Sequence, residues 1–334
     1  MKKFILILGI SILTLFGCSN DSSGGNETED AQTIILTHAL SEDTTNQAGA
    51  LAFKEYVENN SDGKLKVEVY PNSQLGGDRE QLEGVQEGSI TAALTGSAVQ
   101  VNFVKSASIL DLPFAFSSVE DIMATYRDET LFNALSEEYS SAGFKLLGIS
   151  ITDFRNLTSN KLIRKPEDIN GLKIRTMESE YHIEAWKALG ANPTPMPVNE
   201  LYTALQQNTV DGQENPLEVI YAQKFHEQQK YITLTRHVPH PLVWVMNKEF
   251  YEGLSEELQT VVDEAMDKAL VAAQDYQDEN TEKIEAELET AGVEIIELTD
   301  EELASFADKT RPVWDMIKSD IPSNVYDAFL KTLE

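Results

Sequence analysis

Cysteine is nearly absent from this 334-residue chain, with Cys18 the single example. No disulfide can therefore form within the chain, and no thiol cluster is available to hold zinc. Positive charge is also scarce: 26 Lys and Arg stand against 56 Asp and Glu, for a formal net charge of −30. Nucleic-acid binding rests on basic patches that neutralise phosphates, so this balance argues against it. Aromatic residues make up 8% of the chain and are not interleaved with basic ones, so no base-stacking platform is present. There is no G-x-S-x-G, no H-E-x-x-H and no P-loop. His237 and His240 have metal-like spacing, but Val238-Pro239 lies between them and no cysteine assists. They read as solvated loop histidines, and neither a metal nor a cofactor is expected.

Long apolar runs are missing beyond the N-terminus. There, Lys2 and Lys3 precede the apolar stretch Phe4–Phe16, which meets Gly17-Cys18. A basic start with a short apolar run is a secretory signal rather than a membrane span. Leu15-Phe16-Gly17-Cys18 resembles a bacterial lipobox, which makes residues 1–17 the leader and Cys18 the lipidated first residue. The alternative is an ordinary leader with an incidental cysteine. Asn20–Asp30 is polar, acidic and Gly/Ser-rich, so residues 18–30 read as a flexible tether. The expected location is extracytoplasmic, on the outer face of the cytoplasmic membrane by lipid anchor, or periplasmic. The acidic surface is expected to aid solubility.

Strand-like and helix-like stretches then alternate. Residues 33–38, 65–70, 90–95, 144–149 and 172–175 carry strand patterns, and residues 44–59 and 76–88 carry a helix and a turn with a helix. This alternation predicts an α/β fold with a mostly parallel sheet. The stretch Ser255–Ala291 holds no Gly or Pro, with Ser255 placed to cap it and Gly292 to stop it. It predicts one very long helix, or two with a break near Asp278–Thr281. Thr299-Asp-Glu-Glu302 is a capping box that opens another helix.

The segment Gly171–Pro216 is the most informative. The strand LKIR ends on Arg175, and ligands of open α/β sheets sit beyond the carboxyl ends of strands. A guanidinium there offers a planar fork that fits a carboxylate. The string GKLKVEVYPNSQLGGDRE at Gly63–Glu80 and FRNLTSN at Phe154–Asn160 precede GLKIR, ANPTPM and DGQENP. In that order and spacing, the chain resembles the solute receptors of tripartite ATP-independent periplasmic (TRAP) transporters, the DctP type. The resemblance runs from about Thr33 to the last helix.

The resemblance implies a two-lobed periplasmic-binding-protein-like fold with a hinge, an interdomain ligand cleft and a long helix along both lobes. It places residues 31–152 plus 241–280 in the first lobe and 153–240 plus 281–334 in the second. It implies an organic-acid receptor, not an enzyme, partnered by the membrane subunits of a permease. Arg175 would hold the ligand carboxylate, unless it pairs with a nearby acid such as Glu178. Arg155 and Asn215 would reach the same ligand or an adjacent oxygen. Pro216 biases Asn215 toward an extended backbone.

From the first lobe, His38 would offer a polar contact or be merely buried. Asp78 would accept from ligand hydroxyls or cap a helix, and Gly96 would line the pocket without a side chain. Val198 stands where relatives often carry an aromatic wall. Trp244 would form an apolar wall or belong to the core, and Glu178 and Tyr181 are weaker candidates. The favoured ligand is a hydroxylated monocarboxylate such as a sugar acid. A C4-dicarboxylate or 2-oxo acid comes next, and a sensory receptor for the same ligand also stays open.

Overall fold

In the computed structural model, residues 31–333 are described; the expectations for the leader, the tether and Cys18 lie outside the described residues. Among the described residues eleven strands form two sheets: β1 (Gln32–His38), β2 (Leu65–Tyr70), β3 (Ala92–Gly96), β4 (Phe144–Phe154), β5 (Asn156–Ser159), β6 (Lys173–Thr176), β7 (Asn192–Pro195), β8 (Gly212–Asn215), β9 (Tyr231–Thr233), β10 (Pro239–Asn247) and β11 (Glu294–Ile296). The first sheet has the order β2-β1-β3-β10-β4 and the second β11-β9-β5-β8-β6-β7. The two sheets give the two-lobed α/β fold.

The parallel character is confined to parts of each sheet. β1 pairs in parallel with β2 and β3, and β6 with β7 and β8. β10, however, enters between β3 and β4 antiparallel to both, and β5 is antiparallel to β8 and β9. The expected mostly parallel sheet is therefore corrected to two mixed sheets. The reason lies in a strand that returns from the second sheet into the first.

All nine residues of β10 are buried, because both of its faces are covered. Leu242, Trp244 and Met246 join Phe53 and Val262 on one side, while Val243 and Val245 join Leu135 and Phe144 on the other. This is the period-two alternation of a strand, hidden in the sequence because both faces need apolar residues.

Helix α1 (Thr45–Asn60) covers the first face with Ala50, Phe53 and Val57. Helix α2 (Asp78–Glu87) begins just after Gly77. The long helix is continuous over Glu256–Thr290, and Ser255 Oγ accepts the Leu258 N–H at its start. No break occurs at 278–281. Instead Asn280 and Thr281 return hydrogen bonds to the carbonyls of Tyr276 and Gln277. At about 1.5 Å per residue the helix is roughly 50 Å long. Its first half, Leu258 to Ala269, belongs to the first sheet's core, and Ile284 and Leu288 belong to the second's.

The C-terminal segment divides. Leu303 and Phe306 pack with Leu157 and Trp186 of the second sheet. Val313, Ile317, Val325 and Phe329 instead join Ile109, Leu131 and Phe144 of the first. The segment beyond about residue 312 thus packs against elements of the first sheet and also against the helix Glu180–Ala188. The apolar stripes of these last helices are buried against the helix Glu129–Ser141 and the turn Lys105–Asp111.

Candidate functional site

A cleft lies where strand ends of both sheets converge. It is lined by β3 and the start of α2 from the first sheet's side, and by residues following β6, β7 and β8 from the second. This is the crevice beyond the carboxyl ends of strands where open α/β sheets take ligands. Its cavity volume is only about 40 Å³, so the walls stand close together.

Arg175 sits in this cleft and is almost wholly buried. Its Nε and Nη2 both donate to the Met196 carbonyl, at 3.0 and 2.7 Å. That anchorage comes from β6 pairing in parallel with β7, which puts Thr176 opposite Pro195 and brings Met196 alongside. The guanidinium is thereby fixed through one edge. Its Nη1 makes no hydrogen bond among the described residues. Glu178 does not pair with it, because the Glu178 carboxylate accepts from Arg79 at 3.2 Å. Burial lowers the Arg175 pKa to about 10, and the positive charge of Arg155 adds to the effect. Arg175 thus stays protonated at neutral pH.

Arg155 is placed differently from the expectation. It is fully buried and does not line the cleft. Its Nε and Nη2 engage Glu214, the latter reaching Oε1 at 2.9 Å and also the main-chain carbonyl. Its Nη1 donates to His240 Nδ1 at 2.8 Å. Arg155 thus adjoins the cleft through His240, which does line it. Glu214 also accepts from His237 Nε2 at 3.1 Å. Burial alone would raise the Glu214 pKa, but Arg155 and His237 outweigh it and hold the carboxyl well below its usual range.

His237 and His240 are both buried, which corrects the reading of solvated loop residues. Burial keeps His240 far below its normal pKa, and Arg155 reinforces this. A neutral His240 that accepts at Nδ1 carries its proton on Nε2.

Asp78 lines the cleft at the first position of α2, and Gly77 rather than Asp78 is the cap residue. Burial raises its carboxyl to about 6, against the opposing pull of Arg175 and of the Gly96 N–H. Gly96, Glu178, Val198 and Asn215 also line the cleft. Asn215 Nδ2 donates to Gln213 Oε1. A Cβ at Gly96 would stand 3.5 Å from both His240 and Met177, so this wall is close but not sealed.

His38, Trp244 and Tyr181 are not among the lining residues. His38 is buried and bonded to Gln47 at 2.8 Å, and the neighbouring Ala39 and Leu40 take the wall positions. Trp244 packs on Phe53, 6.1 Å between ring centres, and donates to Ser150 Oγ. Tyr181 is bonded to Asp320.

Sequence reasoning missed Asn46, whose buried Oδ1 has no hydrogen-bond partner among the described residues although the residue lines the cleft. It also missed the apolar wall of Leu40, Met177 and Val219. No local signal marks these positions, since they meet only through the tertiary fold.

Two mixed sheets, a cleft where strand ends of both converge and an anchored arginine facing it give the chain the form of a two-lobed receptor. The chain belongs to the family described as bacterial extracellular solute-binding protein, family 7 (DctP), which matches residues 36–320. It is 33% identical over 294 residues to the 2,3-diketo-L-gulonate-binding periplasmic protein YiaO of Escherichia coli K12, covering 87% of this chain and 89% of that one. It is also similar to the sugar acid binding protein DctPAm of Advenella mimigardefordensis in complex with galactonate. That match has a TM-score of 0.86 and 30% identity, over 91% and 98% of the two chains. A TRAP solute binding protein of Shewanella oneidensis with bound succinate matches with a TM-score of 0.86 and 28% identity, over 91% and 100%. The family consists of extracytoplasmic solute receptors of TRAP transporters and not of enzymes. Among the described residues no helix is long and apolar enough to cross a membrane.

Proposed function

We propose that this protein captures a hydroxylated monocarboxylate, such as a sugar acid, and delivers it to a separate TRAP permease. The observation that carries this reading is Arg175, buried, anchored to the Met196 carbonyl and facing an enclosed cleft. Its free edge takes the carboxylate. Asn215 and the Nε2–H of His240 meet the oxygen beside it, held from behind by Arg155 and Glu214. Asp78 and Asn46 accept from hydroxyls further along the ligand. The galactonate-bound relative supports this class. The succinate-bound relative favours a dicarboxylate as the second reading.

The lobes close on the ligand by hinge motion, with the crossing strands and the long helix as the hinge. Lipidation at Cys18 tethers the receptor to the outer face of the membrane.

A thermal-shift screen against sugar acids, dicarboxylates, 2-oxo acids, neutral sugars and amino acids tests the reading, using protein unfolded and refolded to strip carried ligand. A ligand at 100 times its dissociation constant adds about 2.7 kcal/mol, enough to raise the melting temperature by a few degrees. A shift confined to sugar acids supports the reading. Shifts from neutral sugars alone would make Arg175 structural and overturn it.

A further inference from the structure

Helix α1 lacks a cap of its own. Its N-cap residue, Thr44, makes no side-chain cap bond, because the Thr44 hydroxyl donates instead to the Ser41 carbonyl. No acidic residue occupies its first turn, in a chain otherwise crowded with acids. The group that fills this role comes from the other sheet's lobe. Glu218, on the helix Leu217–Ala222, accepts from the Thr45 N–H at 2.5 Å and from Thr45 Oγ1 at 2.8 Å, both through Oε1. The two helices belong to different cores, α1 to the first sheet's and Leu217–Ala222 to the second's. Glu218 is buried, and its Oε2 has no partner among the described residues. The next residues on each side, Asn46 and Val219, both line the ligand cleft.

We propose that Glu218 is a clasp across the two lobes, a positioning residue that caps α1 only when the cleft is closed and makes closure proton-linked. Opening separates Asn46 from Val219 and must also pull Glu218 from the α1 N-terminus, leaving the Thr45 amide and hydroxyl to water.

The groups facing Glu218 set the direction of the linkage. Asp43, before α1, and Asp153, on β4, both act on it as like charges. Tyr276 faces it from the long helix, and Gln277 of the same helix accepts from the Thr45 hydroxyl. Arg236 and Glu285 act on Asp153 with opposite signs. Burial raises the Glu218 carboxyl to about 7 despite its bonds to Thr45. Released into water it returns to an ordinary value of about 4.3. The closed form therefore binds the proton more tightly. Closure is fully favoured at acidic pH and loses that help as pH rises through about 7.

The clasp does not need the ligand assignment, so its test has a ligand-free arm. Small-angle scattering of the unliganded protein should show the radius of gyration growing between pH 6 and pH 8, while Glu218→Gln, which keeps an acceptor for Thr45, holds its acidic value throughout. In the second arm, which rests on the proposed ligand class, the dissociation constant for D-galactonate should weaken roughly tenfold over that interval in the wild type and stay flat in Glu218→Gln. A wild type and variant that respond to pH alike overturn the clasp. So does a Glu218→Gln protein already open at pH 6. A scattering step without any galactonate binding supports the clasp and sinks the ligand class alone.

Discussion

The two buried arginines of this site stand a short way apart and do opposite work. Arg155 is closed off: both edges of its guanidinium are met by Glu214 and His240, and no part of it lines the cleft. Arg175 is anchored along one edge to a neutral carbonyl and faces the cleft with the other. Burying a charge is costly unless it is paired. The first arginine meets that cost within the chain, whereas the second, on the function proposed above, meets it with a carboxylate from outside. Two residues of the same type thus teach how a fold separates holding a site together from leaving it receptive.

The largest effect should follow from breaking the closed pair. Glu214→Ala leaves Arg155 buried and uncompensated and should cost about 3–5 kcal/mol of stability, read by denaturant unfolding. Arg175→Ala should reverse the pattern. Without ligand its stability should change by less than about 1 kcal/mol, while calorimetry should show about 3–5 kcal/mol of ligand binding lost. Unchanged affinity in that variant would end the assignment of Arg175.

A pH series sharpens the contrast. Glu214 is depressed in the folded state, so its contribution is present above the unfolded carboxyl range and lost as pH falls through the folded value. The stability gap between wild type and Glu214→Gln should be constant above about pH 5 and shrink below about pH 4. A gap that does not change in acid would mean the pair is not ionised.

The smallest effect is expected at Gly96→Ala. Its φ of −64° suits alanine, and the new methyl meets His240 and Met177 at ordinary contact distance. Stability should hold or rise by about 0.4–1 kcal/mol, while ligand affinity moves because the cleft wall thickens. A large loss of stability would show this wall to be structural.

Much of the fold was legible because its signals are local. The alternation of β2, the capping of the long helix by Ser255 and the capping box at Thr299 each depend on residues within a few positions of one another. The strand β10 was not read out as a strand, since burial on both faces removes the alternation that would reveal it. At the site, Arg175 was singled out by its place at a strand end and Asn215 by the resemblance of QENP, and both line the cleft. The fate of Arg155 was not, because Glu214 lies 59 residues away and His240 lies 85.

What the sequence by itself determined is the class of protein. The ordered motifs name the family, and a strand ending on arginine points to an anion. Only the tertiary structure decided which arginine is free. That depends on where carboxylates, carbonyls and a histidine from distant strands come to rest around each guanidinium. The same holds for Glu218, an unremarkable acid in an acidic chain until the fold sets it against the uncapped start of α1.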